Sequence, residues 1–568
     1  MSQTILTKQW HVLNPDLDKQ AWFSRELGID PVIAQLLINR GIESLAEADR
    51  FLFAGIEKIH DPFLLKDIDK ALSRIRLARE KGERVLIFGD YDVDGITSTA
   101  VLYNYLRILG IDAVTHLPHR MYDGYGLNEN VCQIAREKGA SLVIAVDCGI
   151  TAFRETELLR QEGLDCLIID HHEPADRGIP SACAVIDPKR KDCPYPFKHL
   201  SAVGLVAKLG QALFGRVQEE HLDLIALGTI ADVVPLRDEN RVFVKLGLPR
   251  IGQTRNKGLS ALMEVARIRG KKMKPYHAGF ILGPRINATG RMGSAQQSLD
   301  LLLSEDHKEA QILAQSLENL NNERQKLQRD VVQEALSLVE REVNFQDPRI
   351  IVVSKEGWHK GVLGIVASRL AEIYYRPTIV ISLQDGVGTA SARSIAGFHL
   401  HEALESCSGM LENFGGHKLA AGLTILEPNI EKFTRSINEF AHRSTSERCL
   451  VPVLDIDQEL PLSSLNFRLL ETIDSLEPYG EGNPEPLFCS RNLRVKSQPV
   501  ILGRETLKFW VTDGNVTVSA VGFGLAKHRD RVKLGAQIDL AYQPIIDDWN
   551  KAPAIQLKIK DLKISTQE

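Results

Sequence analysis

Three carboxylates stand in five positions in Asp90-Tyr91-Asp92-Val93-Asp94-Gly95, directly after the apolar run Val85-Leu86-Ile87-Phe88. Like charges this close repel, and a cation relieves them. Clusters of oxygen donors suit Mg²⁺ or Mn²⁺. More donors follow later apolar runs: Asp147 after Leu142–Val146, Asp170-His171-His172 after Cys166–Ile169, and Asp232 after Leu222–Ala231. Taken singly, Asp147 reads as a loop residue and the two histidines as structural ones. The combination is what points to chemistry. Four Asp and one His can hold two cations that share a bridging carboxylate. A pair of metals about 4 Å apart is a recurrent device for phosphoester hydrolysis, activating a water and neutralising the phosphoryl oxygens.

The elements that must position these groups follow from periodicity. Strand patterns at Val85–Phe88, Ala113–Leu117, Leu142–Val146, Cys166–Ile169 and Ala184–Ile186 alternate with helical ones at Thr97–Leu109, Glu129–Lys138 and Phe153–Glu162. This predicts an α/β fold with a mostly parallel sheet, whose ligands bind beyond the carboxyl ends of the strands. Asp90, Asp92, Asp94, Asp147, His171 and His172 gather at that edge, with Asp232 joining after the Leu222–Ala231 helix. Residues 305–343 read as a long charged helix connecting domains, its charges those of a solvated face. A second, smaller α/β alternation starts at Ile350–Val353 and continues with a helix at Leu363–Tyr374 and a strand at Thr378–Ile381. Short strands at Leu507–Val511, Val516–Val521, Gln537–Tyr542 and Ile555–Ile559 predict a C-terminal OB-like β-barrel, with Asp513-Gly514-Asn515 as a hairpin turn. Its aromatics Phe509, Trp510, Phe523 and Tyr542 are expected in the core rather than as stacking platforms. Lys527, Arg529, Arg531 and Lys533 track a phosphate backbone or merely solubilise the fold. The expected layout is a helical segment over 1–75, a catalytic domain over 76–304, the helix over 305–343, a substrate domain over 344–449 and a nucleic-acid-binding domain over 450–568.

Bulk properties bound the function. The 568 residues imply three or four domains. A net charge of −5 does not advertise a broad polyanion surface, so such contacts must be local or carried by metal. Arg267-Ile268-Arg269-Gly270-Lys271-Lys272-Met273-Lys274 is a local basic candidate, or a solvated loop. The cysteines form no C-x-x-C pair, which fits a reducing cytoplasm. No apolar run approaches the ~20 residues of a membrane span, and Met1–Leu13 lacks a basic-then-apolar leader pattern. Rival motifs fail on spacing. A calcium loop starting at Asp90 needs Glu at its twelfth position, where Val101 stands. A P-loop needs Lys where Ile96 stands, and no G-x-G-x-x-G follows the first strand.

Asp90–Gly95, Val146-Asp147-Cys148-Gly149, Asp170-His171-His172 and Ile230-Ala231-Asp232 resemble, in order, the motifs of the DHH phosphoesterase superfamily. Asn413-Phe414-Gly415-Gly416-His417 resembles the signature of its associated substrate-binding domain. Length, motif order, the β-rich C-terminus and the stretch Gly283–Met292 narrow the resemblance to the superfamily's single-strand-specific 5′-to-3′ DNA exonucleases. The resemblance implies that Asp92, Asp94, Asp147, His171 and Asp232 hold two Mn²⁺ or Mg²⁺ ions, with Asp147 bridging. Asp90 is implied as a ligand or an acceptor behind the ligands, its alternative a strand-end cap. His172 is implied near the scissile phosphate. His359, Arg393, Gly416 and His417 are implied at the terminal phosphate, and Arg285, Asn287 and Arg291 at the strand, Arg285 having a structural salt bridge as its alternative. Single-stranded DNA, a single-strand-binding protein and a RecQ-type helicase are the implied partners of a monomer, in repair and recombination. A small-nucleotide phosphodiesterase would resemble only the first two domains. A silent DNA-binding scaffold would have lost ligands, and here every ligand position is filled.

Overall fold

The computed structural model describes residues 8–119, 126–342, 348–547 and 552–564. Part of the stretch read for a leader pattern, residues 1–7, and the expected 343/344 boundary lie outside the described residues. The chain divides into two compact units. One comprises residues 10–118, 125–283 and 454–568, and the other chiefly residues 284–453.

In the larger unit a five-stranded sheet runs in the order Ala113–His116, Val85–Phe88, Leu142–Val146, Asp165–Ile169 and Ala184–Ile186. Every neighbouring pair is parallel. The residues of Val85–Phe88 and Leu142–Val146 are all buried, as expected of central strands with both faces covered. The following helix starts at Val93 rather than Thr97, so the acidic segment is half helix and not a loop. Asp92 causes this. Its Oδ1 accepts from the backbone N–H of Asp94 at 3.0 Å and of Gly95 at 3.1 Å, capping the first turn. Gly95 is needed for that turn, because a Cβ there would lie 2.6 Å from the Asp90 carbonyl oxygen.

The same unit holds the C-terminal strands. Phe488–Val495 pairs with Gln537–Asp547, which pairs with Ala554–Ile564. That strand pairs with Thr517–Gly522, then Thr506–Thr512, which returns to Phe488–Val495. The pairings therefore close on themselves, as an OB-like domain requires. Asp513 Oδ1 accepts from the N–H of Asn515 and Val516, forming the turn read from sequence. Phe509 and Tyr542 are core residues. Trp510 and Phe523 are not: they are 46% and 63% exposed, which corrects the expectation for both. Trp510 follows the inward Phe509 on a strand, and alternation turns it to solvent.

The N-terminal helices Leu17–Leu27, Pro31–Asn39 and Leu45–Leu52 do not form a separate body. Phe23, Ile33, Leu36 and Phe51 share one core with Leu469, Phe488, Leu507 and Phe509. Arg241, almost fully buried, ties this assembly to the helices of the parallel-sheet region. Its guanidinium donates to the carbonyls of Phe51, Leu476, Glu477 and Pro478.

In the smaller unit a sheet runs Asn413–Gly416, Ala420–Leu426, Val387–Arg393, Thr378–Gln384, Ile351–Glu356. Only the last pair is parallel. The long helix spans His307–Glu342. It is not solvated all round: Val331, Ala335 and Val339 pack against Trp358, Leu363 and Val366.

Candidate metal centre

The carboxyl ends of the parallel strands bring the acidic and imidazole groups together. Asp90 and Asp147 follow the ends of the Val85–Phe88 and Leu142–Val146 strands, and Asp232 caps the C-terminus of the Leu222–Ala231 helix. Potential ligand atoms of Asp90, Asp92 and Asp147 lie within 4.8 Å of one another, as do those of Asp94, His171 and Asp232, and those of Asp147, His171 and His172. Asp147 and His171 each belong to two of these groups. His171 Nε2 is 3.2 Å from Asp147 Oδ1 and 3.6 Å from Asp232 Oδ2. Asp147 adopts φ +62°, a costly conformation for a residue with a side chain.

Asp94 is held hard in place. Its Oδ2 accepts from Ala202 N–H at 2.7 Å and its Oδ1 from Val203 N–H at 2.9 Å, at the start of the Ala202–Phe214 helix. That helix end supplies partial positive charge. Burial together with Asp92 still pushes the Asp94 carboxyl up to about 7. Burial and the surrounding aspartates raise Asp147 and Asp232 well above the ordinary carboxylate range. Burial also pulls His171 down to about 3, so its imidazole is neutral and available as a donor.

Asp170 is counted from the sequence among the donors at the strand ends but assigned neither to the metal ligands nor to catalysis. Its Oδ1 accepts from the N–H of His171 at 2.7 Å and of His172 at 3.1 Å, and meets His172 Nδ1 at 2.7 Å. Its Oδ2 accepts from Ile150 N–H at 2.9 Å. Burial would raise this carboxyl, but the His172 contact and these hydrogen bonds hold it down at about 2. Burial lowers His172, and the bond to Asp170 with the charges of Asp170 and Asp92 more than reverses that. The available signal was its position, immediately before the histidine pair at a strand end.

The residues expected at phosphates lie in the smaller unit. His359 Nδ1 accepts from Gly361 N–H at 3.1 Å, and Arg291 Nη1 donates to the Gly361 carbonyl at 3.3 Å. A Cβ on Gly364 would come within 2.9 Å of Arg393 Nη2. Arg291, His359 and Arg393 thus meet around the turn that opens the Leu363–Tyr374 helix. Arg393 also stands opposite Ala420 in the sheet, and His417 N–H donates to the Ala420 carbonyl at 2.8 Å. Gly416 has φ +143°, and a Cβ there would lie 2.4 Å from the Ala420 oxygen, so only glycine fits this hairpin. Asn287 is half-buried on the Gly283–Met292 helix. Arg285 takes the alternative open to it. Its Nε and Nη2 grip the carboxylate of Glu318 on the long helix, at 2.5 and 3.2 Å, which is a structural salt bridge. The basic run near 270 is likewise partly engaged, Lys274 Nζ lying 3.0 Å from Glu477 Oε1.

Comparison with known proteins agrees with this layout. The chain matches the DHH family, N-terminal domain, over residues 84–229, the DHHA1 domain over 347–443 and the RecJ OB domain over 456–561. It is 37% identical over 560 residues to the single-stranded-DNA-specific exonuclease RecJ of Bacillus subtilis (strain 168), covering 98% of this chain and 71% of that one. The Escherichia coli (strain K12) RecJ is 32% identical, with 98% and 100% covered. The crystal structure of Thermus thermophilus RecJ in complex with Mn²⁺ superposes with a TM-score of 0.84 at 31% identity, covering 98% of this chain and 80% of that one. Its Mg²⁺ complex gives 0.77 at 29% identity, covering 98% and 79%. Full-length kinship, the three matched domains in order and the shared architecture agree: the chain belongs to the RecJ family.

Proposed function

We propose that this chain is a divalent-metal-dependent exonuclease that degrades single-stranded DNA from its 5′ end and releases 5′-mononucleotides, in DNA repair and recombination. The observation that carries the reading is the convergence of Asp90, Asp92, Asp94, Asp147, His171 and Asp232 at one strand edge. The donors fit a cation. His171 Nε2 and Asp232 Oδ2 are buried and make no hydrogen bond, although a buried polar atom ordinarily has a partner. Around them stand carboxylates that repel one another. Asp92, Asp94, Asp147, His171 and Asp232 would hold two Mn²⁺ or Mg²⁺ ions, with Asp147 between them and Asp90 as a further acceptor. When bound, the ions lower the pKa of the attacking water and neutralise charge on the scissile phosphate.

The chain's own groups do the rest. Asp94 is fixed by two backbone N–H donors, so its position survives loading and release. Asp170 grips His172 through Nδ1, so Nε2 is the atom that carries the mobile proton. That proton goes to the departing 3′ oxygen as the phosphodiester breaks. Arg291, His359, Arg393, Gly416, His417 and Asn287 bind backbone and terminal phosphates, the arginine forks giving directional contacts. Arg285 orients its helix through Glu318. Single-strand-binding protein and a RecQ-type helicase, which present and unwind the strand, are proposed partners of a cytoplasmic monomer. Among the described residues no helix is long and apolar enough to cross a membrane.

The test is time-resolved digestion of strands labelled at either end, with Mn²⁺ or with chelator, alongside a blunt duplex and a dinucleotide. Label should leave the 5′ end first, as a mononucleotide, from the single strand alone. Digestion that ignores the chelator, or that starts from the 3′ end, would sink the reading. Anomalous scattering from Mn²⁺-soaked crystals tests the ligand set directly.

A further inference from the structure

A segment packed on the Asp232-bearing helix carries an unexplained feature. Tyr276 and Phe280 are 61% and 73% exposed, a costly state for two large apolar rings. They are stacked on each other, with centroids 5.5 Å apart and planes 20° from parallel. Both rings remain largely exposed outside that contact. Phe280 lies within a π-helical segment, His277–Leu282, and Tyr276 directly precedes it; this uncommon geometry is enriched at functional positions. The segment is pinned to the helix that ends at Asp232, since a Cβ on Gly279 would reach Ile230 at 3.4 Å.

The rings line an open groove of about 530 Å³. Its floor is Ile230, Ala231 and Val233, the residues on either side of Asp232 in the chain. Val233 is 65% exposed and held at φ +61°, a strained conformation for a β-branched residue. The far wall, Tyr479 to Glu485, comes from the segment leading into the OB-like strands. The groove thus lies between the chain neighbours of Asp232 on one side and the approach to the OB-like strands on the other. Its rim carries Glu477, Glu481 and Glu485, against Lys274. Carboxylates there repel phosphates and favour an uncharged occupant.

We infer that this groove is a nucleobase subsite, in which one base of the DNA strand continues the Tyr276–Phe280 stack while its phosphates face away from the acidic rim. The inference rests on the exonuclease reading above. Aromatic faces accept any base, which suits an enzyme that must pass every sequence. The stack steadies the strand near the metals between successive cleavages.

The test uses the full chain with Mn²⁺. Phe280→Ala should raise KM for a long single strand on the order of tenfold, with kcat little changed. Phe280→Trp should restore KM, and an oligonucleotide added in chelator should quench its fluorescence by more than it quenches that of the wild type, whose five tryptophans it retains. A single abasic residue walked along the strand should raise KM at one register from the 5′ end in the wild type, and nowhere in Phe280→Ala. An unaltered KM in Phe280→Ala, or quenching in Phe280→Trp no greater than in the wild type when the strand is bound, overturns the subsite and leaves the rings as a protein-docking patch. A wild type that releases no nucleotide would instead refute the exonuclease reading, so the two failures are distinguishable.

Discussion

At the residue scale the centre is a set of groups that are unstable together until a cation joins them. Asp147 is nearly fully buried, its carboxyl holds its proton far more tightly than an ordinary carboxylate, and it sits at a positive φ. Asparagine tolerates that backbone and removes the charge. Asp147→Asn should therefore abolish nucleotide release yet raise stability in chelator by on the order of 1 kcal/mol, read by denaturant unfolding. Saturating Mn²⁺ at roughly a hundred times its Kd should stabilise the wild type by about 2.7 kcal/mol. The variant should show little of that gain, and a full gain would remove Asp147 from the ligand set. Asp170 acts through the histidines it orients. Asp170→Asn should cost about 10–100-fold in kcat, as losses behind a ligand shell do, with KM for the strand nearly constant. The basic limb of the kcat–pH profile should also move to lower pH, since the carboxylate that raises His172 is gone.

At the element scale, polar anchors fix how helices meet. Arg241→Met leaves four carbonyls without their donor and should cost roughly 3 kcal/mol in urea unfolding. An unchanged midpoint would show that water replaces the guanidinium at no cost. Asp67 precedes the Ile68–Lys81 helix and pairs with Arg190 Nη1 at 2.6 Å and Lys70 Nζ at 2.7 Å. Burial raises its carboxyl, but the two cations hold it below the ordinary 3.8. A depressed carboxyl stabilises the fold above its unfolded pKa and loses that contribution as pH falls through the folded one. The stability gap between wild type and Asp67→Asn should thus be constant near neutrality and shrink below about pH 4. A gap independent of pH would mean that the pairs contribute packing only.

At the scale of the whole molecule, the shared core changes how the C-terminal region can be studied. Removing everything after residue 450 would strip apolar cover from Phe23, Ile33 and Phe51, so lost activity would report unfolding as much as lost strand binding. Trp510 offers a cleaner probe. It faces solvent with Lys508 two residues before it on the same side of the strand. Trp510→Ala should leave the unfolding midpoint within experimental error and weaken binding of a long single strand by about 1–2 kcal/mol. Equal affinity, measured by fluorescence anisotropy in chelator, would exclude this face as a stacking surface.

Sequence alone determined the parallel α/β arrangement, the strands that lead into Asp90, Asp147 and Asp170, the long helix and the C-terminal strands. These are local: burial on both faces forces continuous apolar runs such as Leu142–Val146, and polar residues mark where they stop. The metal-binding candidates were legible for the same reason, because their charges interrupt apolar runs at recurring places. Tertiary structure decided what depends on partners distant in the chain. Glu318 claims Arg285 from 33 residues away, and Asp94 caps a helix that begins 108 residues later. The N-terminal helices close over a core made largely by residues after 450. Trp510 is outward because Phe509 is inward, a choice that pattern cannot make when both neighbours are aromatic. Periodicity records which face of an element is buried; it does not record what that face is buried against.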